Sequence, residues 1–223
     1  MIETTMQGCY FVSGIDTNIG KTIATGFIAK QLMLAGRRVI TQKLIQTGNQ
    51  DCSEDILTHR KIMGVPLFAE DKARLSMPMI LSYPASPHLA CRLENRTVDM
   101  QYITDCTDRL LAAYEVVLLE GAGGLMVPLI DNGSHDGVLI IDYIAKQQYP
   151  VILVTSGRLG SINHTLLSLH ALRCYGISVY AVAYNQVDDG DDGLIAADTK
   201  QLLQAQLARH HPTAKWWEIP CLS

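Results

Sequence analysis

The 223-residue chain lacks several features that would point to particular functions. It has no basic run long enough to follow a nucleic-acid backbone; lysine and arginine number 18 against 22 acids, for a net charge of −4. No apolar stretch reaches the roughly 18–20 residues of a membrane span. The N-terminal "MIETTMQG" has neither the basic region nor the apolar run of an export signal. These absences lead to the expectation of a cytoplasmic protein with neither nucleic acid nor membrane as a partner. Cys9, Cys52, Cys91, Cys106, Cys174 and Cys221 form no C-x-x-C pair, and the histidines fall at no zinc-ligand spacing. They are expected to be buried, reduced thiols. Internal repeats, linkers and low-complexity segments are also missing, so one domain is expected over residues 1–223.

What is present is a core-forming composition, 48% hydrophobic, arranged in alternating segments. Short apolar runs read as buried strands: "GCYFVSG", "RRVITQ", "EVVLLEGAGG" ending in a glycine-rich turn, "PVILVTSG", "SVYAVAYN" and a last extended "WWEIP". Between them the spacing predicts helices over Thr22–Ala35 with Gly36 as a stop, Ser53–Met63 with Ser53 as cap, Val98–Tyr114, Ile162–Cys174 and Leu194–His210. "GVLIIDYIAKQQ" is read as helix from its length. Residues 43–97 are less regular, and Pro66, Pro78, Pro84 and Pro87 imply excursions there. Continuously apolar strands alternating with helices predict an α/β fold. It has three layers, with a mostly parallel sheet covered on both faces. Ligands of such sheets bind beyond the carboxyl ends of the strands. Gly14, Lys43, Glu120, Gly157 and Asn185 all fall there.

The first strand end opens into "VSGIDTNIGKT", Val12–Thr22. The usual phosphate loop has four residues between its first glycine and Gly-Lys-Ser/Thr. Here Gly14 and Gly20 enclose five: Ile15, Asp16, Thr17, Asn18 and Ile19. A strand-to-helix loop presents backbone N–H groups and a helix N-terminus to one anion. Lys21 supplies a full charge for phosphates, and Thr22 a hydroxyl for Mg²⁺. Mg²⁺ is satisfied by one or two carboxylates, for which Glu120 and then Asp55 are the candidates. Asp16 would repel phosphate unless it shapes the loop or meets a cation.

Seven segments then occur in order: "SGIDTNIGKT", "QKLIQTG", "YPASPH", "LLEGAGGLMVPL", "VILVTSGRLGSINHTLLSLHAL", "AVAYNQV" and "WEIPCL". Together the chain resembles the dethiobiotin synthetase family over nearly its whole length, including a phosphate loop of this longer type. The resemblance implies a P-loop NTPase-like fold and ATP-dependent closure of 7,8-diaminopelargonic acid with CO₂ to a cyclic urea, through a carbamate and a carbamic–phosphoric anhydride. It implies Lys43 and Lys21 as catalytic lysines, and Thr22, Asp55 and Glu120 as Mg²⁺ ligands. Substrate contacts are implied at Asp16, Thr17 and Thr47, with the carboxyl tail near Gly160, Ser161, Ile162 and Asn163. Nucleotide contacts are implied at Asn18, Ile19, Gly20, Lys21, Thr22, Glu120, Gly121, Ala122 and Gly123, with Asn185 and Pro220 at the adenine. It also implies a homodimer, in which the Gly160–Asn163 segment can serve the neighbouring subunit. His88 and His164 are expected to be structural.

The chain departs from the family pattern at three places. Leu44 stands where proline usually follows the lysine, an expected loosening of the turn that aims Lys43. Ile15 replaces threonine. Many relatives continue past "EIPCL", so weaker nucleotide selectivity or affinity is expected. Three rivals share the fold: an ATP-driven partitioning-type switch, a cobyrinic-acid amide synthase domain, and a nucleotide-binding module without turnover. The switch usually carries an early loop lysine, where Ile15 or Asp16 stands here. The amide synthase is expected with a glutaminase domain.

Overall fold

Residue 2 and residues 5–131, 137–189 and 193–221 are described by the structure, a computed structural model. In chain order the elements are β1 (Gly8–Gly14), α1 (Lys21–Leu34), β2 (Val39–Lys43), β3 (Gln46–Thr47), α2 (Glu54–Met63), α3 (Ala69–Lys72), β4 (Ile80–Leu81), α4 (Pro87–Leu93) and α5 (Met100–Ala113). There follow β5 (Val116–Gly124), β6 (Pro128–Ile130), β7 (Val138–Leu139), α6 (Ile140–Gln147), β8 (Val151–Ser156), α7 (Ser161–Cys174), β9 (Val179–Asn185), α8 (Gly193–His210) and β10 (Lys215–Ile219).

Six strands form one parallel sheet in the order β10-β9-β8-β1-β5-β2. Because successive side chains of a strand point to opposite faces, each apolar run feeds two cores at once. Tyr10, Val12, Val116, Leu118, Ile152 and Val154 face Ala24, Ile28 and Leu32 of α1. Cys9, Phe11, Val117, Leu119, Val151 and Leu153 face the other way, toward Ile103 and Leu110 of α5, Ile140 and Ile144 of α6, and Leu169 and Leu172 of α7. The expected three-layer α/β arrangement is thus observed, and the two-sided burial explains why the strands read as unbroken apolar runs.

The structure departs from the sequence expectations in four places. The fifth strand does not stop at a turn; it continues through its glycines to Gly124, pairing Gly14 with Gly124 after an irregularity. "GVLIIDYIAKQQ" is not all helix: Val138–Leu139 pairs antiparallel with Pro128–Ile130, and helix begins at Ile140. The stretch after Lys43 is more regular than its prolines suggest. β3 and β4 pair in parallel, and Pro87 starts α4 because a first-turn proline lacks only an N–H that the helix would not use. Among the cysteines, Cys9, Cys91 and Cys106 are buried as free thiols, but Cys174 and Cys221 are exposed. Ser53 does cap α2, accepting from the Ile56 N–H at 3.2 Å. Among the described residues, no helix is long and apolar enough to cross a membrane.

Candidate functional site

At the carboxyl end of the sheet, the loop between β1 and α1 closes around backbone geometry that only particular residues tolerate. Gly20 has φ 93° and is the N-cap of α1; a Cβ there would collide with the Asn185 amide. That amide, from the end of β9, donates to the Ile19 carbonyl at 3.0 Å and accepts from the Val187 N–H at 3.2 Å. Asn18 is left-handed at φ 61°. Asp16 has the two uses the sequence allowed for it. One oxygen accepts from the Thr17 N–H at 2.7 Å and shapes the loop; the other pairs with Arg158 Nη2 at 2.7 Å. Ile15 packs partly buried against both cores, so the departure from threonine is filled by contact.

A cleft of about 670 Å³ opens beside this loop. It is lined by Thr17, Asn18, Gly20, Lys21 and Thr22 of the loop, Lys43 and Thr47 of β2 and β3, Asp55 of α2, and Glu120, Ala122 and Gly123 of β5. Ile23, Ile45, Gln46, the Pro84–Pro87 segment and Val127 complete its wall. Of the other residues singled out from sequence, Ile19 is wholly buried behind the loop, and Gly121 gives its carbonyl to Lys43 at 3.0 Å. Pro220 follows the end of β10. Gly160–Asn163 do not line the cleft. Gly160 is the N-cap of α7, and Ser161 is turned inward toward the Ser156 hydroxyl at 3.2 Å. Gly160 and Ile162 belong instead to a shallow apolar depression with Leu159, Leu194 and Ile195.

The charged centre of the cleft follows from strand register. Lys43 of β2 lies level with Glu120 of β5, so its Nζ meets Glu120 Oε1 at 2.9 Å and Asp55 Oδ2 at 2.5 Å. Leu44 does not loosen this turn as expected. Its N–H, which a proline would lack, donates to the Glu120 carbonyl at 2.8 Å, and its side chain is buried. Thr22 Oγ1 lies 2.9 Å from Asp55 Oδ1 and 3.0 Å from Glu120 Oε1. One hydroxyl proton faces two carboxylate oxygens, an oxygen triangle better suited to a cation than to its own hydrogen bonding. Among the described residues no cluster of three or more His, Cys, Asp or Glu side chains could hold a metal ion. That is compatible with Mg²⁺, which takes one or two carboxylates and completes its shell with water and phosphate oxygens.

Burial alone would raise the Glu120 pKa, but the Lys43 charge and the His59 contact outweigh it and hold the carboxyl well below its usual range. Burial would likewise lower Lys43, yet Glu120 and Asp55 raise it, so the ammonium stays charged. Lys21 is different. Burial pushes it down to about 8; Glu120, Asp55 and Asp16 oppose the shift and Lys43 adds to it. Its Nζ rests on the Asp16 carbonyl at 3.0 Å.

Sequence reasoning missed two partners. His59 Nε2 lies 2.8 Å from Glu120 Oε2, and Arg158 holds Asp16. The first had a signal: His59 is four residues after Asp55, hence on the same helix face.

A family model described as an AAA domain matches residues 9–213. The chain is 51% identical over 207 residues to ATP-dependent dethiobiotin synthetase BioD 2 of Pasteurella multocida, covering 93% of this chain and 94% of that one. It is 52% identical to the protein of the same name from Haemophilus influenzae, over 81% of this chain and 92% of that one. It is 46% identical to ATP-dependent dethiobiotin synthetase BioD of Chlorobaculum tepidum, over 93% and 85%. Among solved structures, the signal recognition particle receptor FtsY of Elizabethkingia anophelis aligns with a TM-score of 0.49 at 16% identity, over 88% of this chain and 56% of that one.

Proposed function

The chain belongs to the ATP-dependent dethiobiotin synthetase family, and on that premise we propose that it closes 7,8-diaminopelargonic acid with CO₂ and ATP to dethiobiotin, ADP and phosphate. One observation carries the reading of the site. Lys43, Thr22, Asp55 and Glu120 meet within 3.0 Å in the cleft that Lys21 also lines. Relatives named as synthetases over most of this chain disfavour the switch and the non-catalytic module. The reading takes residues 1–223 as a single domain.

The chemistry brings two anions together. One substrate amine captures CO₂ as a carbamate; a carbamate oxygen attacks the γ-phosphorus, and the bond to the bridging oxygen of ADP breaks. The second amine then attacks the carbonyl carbon and phosphate leaves. A dissociative phosphoryl transfer asks the protein chiefly for positioning and charge. In this reading Lys21 and Lys43 neutralise the approaching oxygens. Backbone N–H groups of Asn18–Thr22 cradle the phosphates, and Ala122 and Gly123 wall the cleft beside them. Thr17 and Thr47, which line the cleft, are the diamine contacts of this reading, and Asp16, bound to the loop and to Arg158 outside that lining, adds negative charge for the cationic amines. Asn185, whose amide already holds the Ile19 carbonyl and the Val187 N–H, and Pro220 are the adenine contacts of this reading. Thr22, Asp55 and Glu120 would hold Mg²⁺, which when bound supplies positive charge to the phosphate oxygens.

The test is direct: pure protein given the diamine, bicarbonate, Mg²⁺ and ATP releases phosphate only when the diamine is present and forms a cyclic urea. Diamine-independent ATP hydrolysis with no urea would refute the reading. The Gly160–Asn163 segment does not line this chain's own cleft, and in this reading it meets the substrate tail in the partner's site of a homodimer. Sedimentation of the same preparation is expected to give a dimer, and a fully active monomer would exclude that arrangement.

Lys21 yields a second expectation. A lysine whose pKa is lowered to about 8 loses its charge as pH rises through that value, so affinity for ATP falls on the alkaline side. Triphosphate favours the charged form, and binding there takes up a proton. ATP affinity is expected to weaken about tenfold per pH unit above the folded pKa, with a binding heat that tracks the buffer's ionisation enthalpy. Affinity that stays level between about pH 7 and pH 9 would defeat it.

A further inference from the structure

The carboxylate of Glu120 has two oxygens, and the cleft uses one. Oε1 faces Lys43 and Thr22 at 2.9 and 3.0 Å. Oε2 turns away, to His59 Nε2 at 2.8 Å. A glutamate's last torsion is broad and roughly two-fold, so a strand-end carboxylate without this contact could present either oxygen or neither.

His59 is itself constrained. It is wholly buried, and its Nδ1 lies 3.0 Å from Thr41 Oγ1. Arg60 Nη1 donates to the same Thr41 oxygen at 2.8 Å. A guanidinium cannot accept, so Thr41 receives from Arg60, and its own proton has His59 Nδ1 as its hydrogen-bond acceptor among the described residues. The Glu120 carboxylate is held ionised and can only accept, so the 2.8 Å contact places the imidazole N–H on Nε2; in the neutral ring Nδ1 is then the acceptor and takes the Thr41 hydroxyl's hydrogen bond. Arg60 is anchored in turn: Asp71 takes its Nε and Nη2 at 2.8 Å each, and Asp71 also accepts from the Ser76 hydroxyl and the Phe68 N–H. The line Asp71–Arg60–Thr41–His59–Glu120 runs from α3 to the floor of the cleft. Asp55 is one helical turn before His59 on α2, so one helix supplies both a cleft carboxylate and the group that orients the other.

We propose that His59 is a positioning residue: as a fixed Nε2–H donor it locks one oxygen of Glu120 away from the cleft and presents the other to a divalent cation. The inference rests on the reading of Glu120 as a cation ligand. Partners that orient a ligating group contribute to affinity without touching the metal, and their loss typically costs about 10–100-fold. A satisfied buried histidine with no such role would affect stability alone.

The experiment is a Mn²⁺ titration of the full chain saturated with β,γ-imido-ATP, followed by electron paramagnetic resonance. His59→Leu is expected to bind Mn²⁺ about 10–100-fold more weakly, while its affinity for the metal-free nucleotide stays that of the wild type. His59→Gln, whose amide N–H overlays Nε2, is expected to retain most of the affinity. His59→Asn, whose amide overlays Nδ1, is expected to behave like leucine. If the leucine protein does not fold, the glutamine and asparagine pair decides. Equal Mn²⁺ affinity in wild type and a folded His59→Leu protein overturns the inference, as does an equal loss in the glutamine and asparagine variants. Absence of protein-bound Mn²⁺ in the wild type overturns instead the cation-ligand reading beneath it.

Discussion

A Lys43→Ala protein is expected to keep its nucleotide and lose turnover by about 10²–10³-fold, the cost of removing one preorganised charge from a phosphoryl-transfer site. The reason lies in where the ammonium sits. Lys43 is almost fully buried yet remains charged, because Glu120 and Asp55 more than repay its desolvation. It contributes a positive charge at the junction of the loop, β2 and β5, where the carbamate oxygen and γ-phosphate would meet. The same variant carries a second expectation of opposite sign. Asp55 and Glu120 lose the cation they share, so their affinity for Mg²⁺ or Mn²⁺ rises even as turnover falls. A structural collapse would lower both. Cyclic-urea formation and a cation titration on one preparation separate the cases. Full turnover would remove Lys43 from the chemistry, and weaker cation binding would refute the shared-charge account.

The largest effect on stability is expected at Arg60. Its guanidinium grips Asp71 with two 2.8 Å contacts, reaches the Thr41 hydroxyl and carbonyl, and lies 4.6 Å over the Phe68 ring. Both members of the pair are almost fully buried. Arg60→Ala strands the Asp71 carboxylate, and breaking one side of a buried pair costs about 3–5 kcal/mol. Urea unfolding measures it, and a loss under about 1 kcal/mol would show the pair to be dispensable. The pH dependence follows from Asp71. Burial would raise its pKa, but the Arg60, Ser76 and Phe68 contacts lower it below its ordinary value of 3.8. A depressed carboxyl contributes stability that is complete above the unfolded value and is lost as pH falls through the folded one. The wild type should therefore lose that increment below about pH 4, and Asp71→Asn, lacking it, should lose less stability over the same acid range. Because Arg60 also supplies Thr41's hydrogen bond, its variants and those of His59 should not be additive.

The contrast between what was legible and what was not can be followed residue by residue. The first strand, its loop and the helix after it are visible because burial on both faces of a parallel sheet forces an unbroken apolar run, and Gly14, Gly20, Lys21 and Thr22 are local chemistry at its end. Lys43 was a plain lysine by pattern; its role came from resemblance, and its grip by Glu120 and Asp55 from register and helix placement. Val138 and Leu139 look helical in sequence because a short apolar run does not declare its period; their pairing with β6 depends on the hairpin partner. Leu44 was expected to weaken a turn because the rule concerns proline's ring, whereas the turn is held by the N–H that proline would have given up. Cys174 and Cys221 were expected inside, but Cys174 lies on an exposed side of α7 that composition alone does not reveal.

By itself, then, the sequence determined the layered α/β order, the strand ends at which a ligand would sit, and the phosphate-type loop, since each depends on local periodicity and backbone preference. Tertiary structure alone decided that Arg158 meets Asp16 across 142 positions and that His59 meets Glu120 across 61. Those contacts are set by which strands neighbour one another and by how α2 packs over their ends. The four-residue spacing from Asp55 puts His59 on the right helix face, but only the folded sheet brings Glu120 within its hydrogen-bond reach.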